Sequence, residues 1–199
     1  MRLTILFAST ALTLAACSGG GGANESAEAS DSLATDNMAT GEPATGNTAA
    51  TTEAGTAADY VATAAASDMF EIESARLAQQ KAQDAEVKAF AGMLVTDHEK
   101  STAELKTAAA QVQPPVPVLS AMTAEQQGNV QALQAASGAD FDKLFLSQQI
   151  PAHETALALV QGYAASGDAA PLKQHASTVA APIQRHLDQA KQLQGKIGQ

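Results

Sequence analysis

From Ala57 onward, apolar residues return at every third or fourth position and no strand-like alternation stands out. That period confines the chain to helices, because it lines up one face of a 3.6-residue turn. Alanine and glutamine are abundant over this stretch, and β-branched residues are thin. The first long segment spans about 57–83, with Val61, Ala64, Ala65, Asp68, Ile72, Ala75, Ala78 and Ala82 along one stripe. Asp84 is suited to cap a second segment from Ala85 to about Val112, whose stripe holds Val87, Phe90, Ala91, Leu94, His98, Leu105 and Ala109. Pro114, Pro115 and Pro117 then forbid continuation, since proline offers no amide donor and clashes with the preceding turn.

A shorter helical piece follows. Thr123 with Gln126 has the spacing of a capping box, and Gly138 is expected to close the piece. Its few apolar residues, Val130 and Leu133, predict that it lies across the other helices as part of a long connection. Asp140 is expected to cap a third long helix, Phe141 to about Ser166, with Leu146, Ile150, His153, Leu157 and Val160 on one face. Gly167 is expected to end it, and Asp168 to cap a fourth that runs to about Ile197 with Leu172, Val179, Ile183, His186, Ala190 and Leu193 inward. Pro151 and Pro182 fall inside the third and fourth helices, where each removes a backbone donor and predicts a kink.

Four amphipathic helices of this length cover one another's stripes most simply as a four-helix bundle. Short links at Asp84 and Gly167 make antiparallel hairpins of the first and second pairs. The long link between them resembles a ferritin-like crossover. The expected fold is therefore all-α: a ferritin-like up-down bundle over 57–199 with a crossover that contains a short helix.

The N-terminal part obeys different rules. Arg2 followed by an uncharged, mostly apolar run from Leu3 to Leu14 has the parts of a secretory signal, over 1–16. The run is too short to span a bilayer core of roughly 30 Å as a helix. Leu14-Ala15-Ala16-Cys17 reads as a lipoprotein cleavage and acylation site, and Cys17 is the chain's one cysteine. An unpaired thiol is a liability in an oxidising compartment unless lipid consumes it. Two or more acyl chains anchor a protein stably. Ser18, rather than an aspartate, follows Cys17, so the resemblance to other Sec-exported lipoproteins implies the periplasmic face of the outer membrane.

Residues 17–56 form a tether in this reading. They hold four consecutive glycines, Gly19 to Gly22, and six acidic residues with no basic one. Such a segment cannot bury enough apolar surface to offset its ordering entropy, so disorder is expected. As a coil it would reach roughly 30 to 40 Å.

Charge excludes one class of partner. The chain has 21 acidic and 11 basic residues, and setting aside Arg2 and the six tether acids leaves 15 and 10. With no basic patch, no tryptophan and few aromatics, nucleic acid is not an expected partner; the membrane, through the lipid, is the one partner indicated. Neither a glycine-rich phosphate loop, nor a zinc-protease helix motif, nor a CxxC pair occurs.

Three of the four histidines, His98, His153 and His186, fall on the inward stripes of three different long helices. Glu71, next to Ile72, can reach inward from the first. Each lies 12 to 17 residues into its helix. At about 1.5 Å per residue that places all four within about one turn of mid-bundle. Imidazoles and a carboxylate converging at one level can hold a transition-metal ion, zinc, iron or copper. The same four residues can instead form a hydrogen-bonded cluster that fixes register and binds nothing. Asp97 and Glu154 lie about 100° around their helices from His98 and His153 and are expected in solvent, as is Glu73. His175, eleven residues before His186, is expected at a helix end or surface.

Several motifs in order carry a family resemblance: Met69-Phe70-Glu71-Ile72-Glu73 with Leu77 to Ala82; Val87-Lys88-Ala89-Phe90-Ala91 through Val95-Thr96-Asp97-His98; Phe141-Asp142 leading to His153; and His186-Leu187. Together, over about 57–193, they resemble the bacterial family of domain of unknown function 4142, whose members are often labelled predicted outer membrane proteins. The resemblance implies a ferritin-like bundle in the cell envelope, with Glu71, His98, His153 and His186 at the family's motif positions, and it implies no activity. Di-iron ferritins place a glutamate three residues before the ligating histidine on two helices. Here those positions hold Val95, Ile150 and Ile183, which argues against a ferroxidase centre.

The sequence thus supports a lipid-anchored periplasmic binding or stress-protective module, with or without a metal ion and without a recognisable catalytic set. The alternative is a metal-dependent oxidoreductase or metal store built on the same four residues. No protein partner or oligomeric state is indicated.

Overall fold

The computed structural model describes residues 55–198. The expected signal (1–16), Cys17 and the linker as far as residue 54 lie outside the described residues. Five helices follow in order: α1 (Ala57–Lys81), α2 (Ala85–Ala110), α3 (Ala124–Ala135), α4 (Gly138–Ser166) and α5 (Ala170–Ile197). There is no strand among the described residues. No helix there is long and apolar enough to cross a membrane.

The caps explain most of the boundaries. Thr56 and Asp59 form a reciprocal capping box at the start of α1. The Asp84 carboxylate accepts from the amides of Glu86 and Val87, and Thr123 with Gln126 forms the second box. Three expectations are corrected at the ends. Gly138 does not close α3, which stops at Ala135; it opens α4 with φ 65°. That is the left-handed region, so the chain reverses there and the next helix begins at once. Asp140 therefore sits in the first turn of α4, and Ser137 is the N-cap without a side-chain bond. Asp168 does not cap α5 either, since the N-cap is Ala169. Its carboxylate turns back across the bundle and accepts from the Tyr163 hydroxyl (2.7 Å) and the Ala57 amide (3.3 Å). Pro151 and Pro182 both lie inside continuous helices.

Hydrogen bonds between ends fix the direction of each helix. Asp142, near the start of α4, accepts from the backbone amides of Gln83 and Asp84 in the α1–α2 turn. Lys196, at the end of α5, pairs with Glu86, at the start of α2 (2.6 Å). At the opposite end Ala57 meets Asp168. Helices α1 and α5 thus run one way, and α2 and α4 the other. In the square arrangement α1 packs on α2 and α4, and α5 on α4 and α2, so every adjacent pair is antiparallel. The link from α2 to α4 joins diagonal helices and must travel the length of the bundle, and α3 within it packs on α1 and α4.

The core is split in two. One apolar cluster gathers Tyr60, Val61, Leu105, Tyr163, Leu172 and Val179 toward the end where α1 begins. The other gathers Phe90, Leu94, Phe141, Phe145, Leu146 and Leu193 toward the end where α1 finishes. The buried polar residues Asp68, Glu71, Ser74, His98, Gln149, His153 and His186 belong to neither. They form a layer between the clusters.

Candidate metal centre

Each bundle helix contributes to that layer: α1 carries Asp68 and Glu71, α2 His98, α4 His153, and α5 His186. The three rings make a nearly equilateral triangle, with centroids 5.4 to 5.7 Å apart. His98 is 5% exposed, and His153 and His186 are 1% exposed. One nitrogen from each ring lies within 4.8 Å of one from each of the others.

The outer nitrogens are all engaged. His98 donates from Nδ1 to Asp68 Oδ1 at 2.8 Å, and Asp68 is itself steadied by the Thr102 hydroxyl at 3.1 Å. His153 donates from Nδ1 to the Gln149 carbonyl one turn earlier, at 2.9 Å. His186 donates from Nε2 to Asp97 Oδ2 at 2.8 Å. These bonds place the ring hydrogens on the outer nitrogens. His98 Nε2, His153 Nε2 and His186 Nδ1 are buried without a hydrogen-bond partner.

Glu71 is 1% exposed, and neither of its oxygens has a partner. Its Oε1 lies 3.8 Å from His153 Nδ1, the nitrogen already given to Gln149. The structure therefore brings the three histidines together as one donor set and leaves Glu71 beside it. Gln149 donates to Ser74, and Ser74 to the Glu71 carbonyl, which extends the polar layer toward α4.

Burial dominates the electrostatics. It pushes the Glu71 carboxyl up to about 7; His98 pulls it back, Asp68 pushes it further, and the Gln149 amide pulls slightly without reaching hydrogen-bond distance. Burial, with His98 adding to it, takes His153 down to about 3, so this ring is neutral. His186 is lowered by burial against the opposing pull of Asp97. For His98 burial also acts downward, but the Asp68 hydrogen bond and the charges of Glu71, Asp68 and Asp97 outweigh it and raise the value.

A self-satisfied cluster is what a purely structural role requires, and this cluster does not satisfy itself. Three imidazole nitrogens of the layer, one on each ring, have no hydrogen-bond partner. A cation placed among them would take up all three. An ion bonded to nitrogen at about 2.0–2.1 Å asks for nitrogens about 3.5 Å apart, which small ring rotations reach from the observed spacing. A second layer of carboxylates and a carbonyl behind the rings is the usual support of metal-ligating histidines.

Three residues, Asp97, His175 and Glu73, are placed differently from the expectation. Asp97 is not simply solvated: its side chain is 31% exposed and holds His186, because its flank of α2 faces α5. His175 is buried. Its Nδ1 accepts from the Tyr60 hydroxyl at 2.8 Å, and its Nε2 donates to the Ser101 carbonyl at 3.3 Å. Glu154 is exposed and pairs with Lys191 at 2.7 Å, while Glu73 is half-buried. Asp68 is the supporting residue that helical spacing already marked as inward.

The family described as "Domain of unknown function (DUF4142)" matches residues 42–193, and the chain belongs to it. Among solved structures, "CopM in the Cu(I)-bound form" is similar at 25% identity and TM-score 0.58, over 69% of this chain and 94% of that one. "CopM in the Ag-bound form (by co-crystallization)" gives the same values. "CopM in the Cu(II)-bound form", at 23% identity and TM-score 0.60 over 71% and 97%, shares the fold. No curated protein sequence matches significantly.

Proposed function

We propose that this member of a family without an assigned activity is a metal-holding module of the bacterial envelope, lipid-anchored at Cys17, which retains one transition-metal ion on His98, His153 and His186. The observation that carries it is the set of three unpaired ring nitrogens, each aligned from behind by Asp68, the Gln149 carbonyl or Asp97. Copper is the favoured ion. Three neutral imidazoles suit it, and the similar CopM structures at 25% identity are Cu(I)- and Ag-bound forms. With all three donor atoms buried, the ion is enclosed rather than presented to a substrate, which favours holding over catalysis. The lipoprotein signal and acidic tether support a periplasmic place at the outer membrane.

Metal analysis tests the reading. The full mature chain, purified without an affinity tag after copper, zinc and iron supply, is expected to carry about one copper per chain, and a His98→Gln/His153→Gln variant none. A stoichiometry near zero for all three metals would overturn it. Mass spectrometry of the mature N-terminus tests the anchor, and an unmodified Cys17 thiol would remove it.

A further inference from the structure

The geometry points to Glu71 as a fourth ligand that the centre recruits for divalent ions and leaves aside for monovalent ones, so that this residue sets which ion charge the site prefers. The inference rests on the three-histidine reading above. α1 is the one bundle helix that brings no histidine to the triangle, and Glu71 is what it brings instead. The other two carboxylates of the layer are committed, Asp68 to His98 and Thr102, and Asp97 to His186. Glu71 is committed to nothing. Both oxygens are buried and unpartnered, and Oε1 stands 3.8 Å from the outer nitrogen of His153, Nδ1.

An unpaired carboxylate sealed in a core is costly unless something charged arrives beside it. Its three rotatable side-chain bonds allow it to move toward the triangle without moving α1. A monovalent soft ion is satisfied by three nitrogens. A divalent ion of zinc type completes a four-coordinate shell and accepts carboxylate oxygen readily. Three neutral imidazoles leave the whole charge of the ion uncompensated by its own ligands, and one carboxylate removes half of a divalent charge.

The test compares Ag(I) and Zn(II) affinities of the full mature chain, by chelator competition, in wild type and Glu71→Gln. The expected result is a loss of about 10- to 100-fold for Zn(II), the range seen when a supporting group of a metal site is removed, and less than about threefold for Ag(I). Retained Ag(I) binding also shows that the variant has folded. Should Glu71→Gln fail to fold, Glu71→Asp, which keeps the charge but shortens its reach, is expected to show the same selective loss. The visible spectrum of the Co(II) form is expected to shift its bands in the variant. An unchanged spectrum would leave only a field effect and overturn the ligand assignment. Equal losses for both ions, or none for either, would overturn it as well while leaving the three-histidine centre standing. Binding of neither ion by wild type would instead remove that centre itself.

Discussion

At the centre of the bundle each imidazole has one nitrogen held from behind and one left open, and the holding group differs from ring to ring. His153 is set by its own helix, through the Gln149 carbonyl. His98 and His186 are set across helix boundaries by carboxylates. The last of these is the most separable, because Asp97 is partly exposed and can be replaced with little disturbance to the core. Asp97→Ala is expected to lower metal affinity about 10- to 100-fold and to cost the metal-free protein no more than about 1–3 kcal/mol, the range for one buried donor left without its partner. Chelator competition beside thermal melts measures both. Away from the centre, His175 reports on pH. Burial lowers its pKa below the ordinary 6.5, although the Ser101 carbonyl, Asp68 and Glu104 pull the other way. Below about 6.5 the unfolded chain takes up a proton that folded His175 refuses, so its contribution is complete above that pH and is lost as pH falls toward the lowered value. Metal-free wild type is therefore expected to lose more stability between pH 7.5 and 5.5 than His175→Asn, in denaturant titrations at the two pH values. An equal loss would show that His175 does not titrate in this way.

The helices meet at turns whose chemistry is more specific than their length. At the α4–α5 corner Gly167 packs under the Tyr163 ring, which stacks on Tyr60 at 4.1 Å. A Cβ on Gly167 would come within 2.6 Å of both the ring and the backbone carbonyl of Tyr163. Gly167→Ala is expected to cost about 1–3 kcal/mol, the usual range for overpacking, read as a lower denaturation midpoint. An unchanged midpoint would mean that the corner yields freely. This corner also shows where sequence reasoning stops. Gly167 and the four helices were legible because periodicity and helix punctuation are local. The destination of Asp168 was not, since its partners are a tyrosine hydroxyl and an amide 111 residues away. Asp142 was missed in the same way: it serves backbone amides of a turn, and backbone donors leave no mark on a sequence. Asp97 was misjudged for a different reason. A stripe analysis gives a helix one inward face, whereas a helix in a square bundle has two neighbours, and a residue 100° from the stripe faces the second. His175 follows from the overlap of ends, where α1 and α2 cover the first turns of α5. The three histidines themselves were legible in position and level, but not the split between paired and unpaired nitrogens that turns them from a cluster into a donor set.

For the molecule as a whole the polar layer is a weak plane between two apolar cores. Seven buried side-chain atoms there and next to it lack partners: both Glu71 oxygens, one nitrogen on each of His98, His153 and His186, and the Gln148 and Gln149 carbonyl oxygens. Each buried unsatisfied group costs roughly 1–3 kcal/mol, so the metal-free fold carries a burden that the apolar clusters must offset. An ion bound only by the folded state takes up three of the seven directly and adds its binding free energy to stability. At free ion 100-fold above Kd the gain is about 2.7 kcal/mol, which for a domain of this size corresponds to a rise of roughly 10 °C in melting temperature. The prediction is a rise of that order on adding copper to the metal-free protein, reversed by a chelator and absent in the His98→Gln/His153→Gln variant. The apolar clusters are the same in both proteins, so a rise of equal size in the variant would place the ion elsewhere. No rise in wild type with copper, silver or zinc would mean that the layer is closed by something other than an ion.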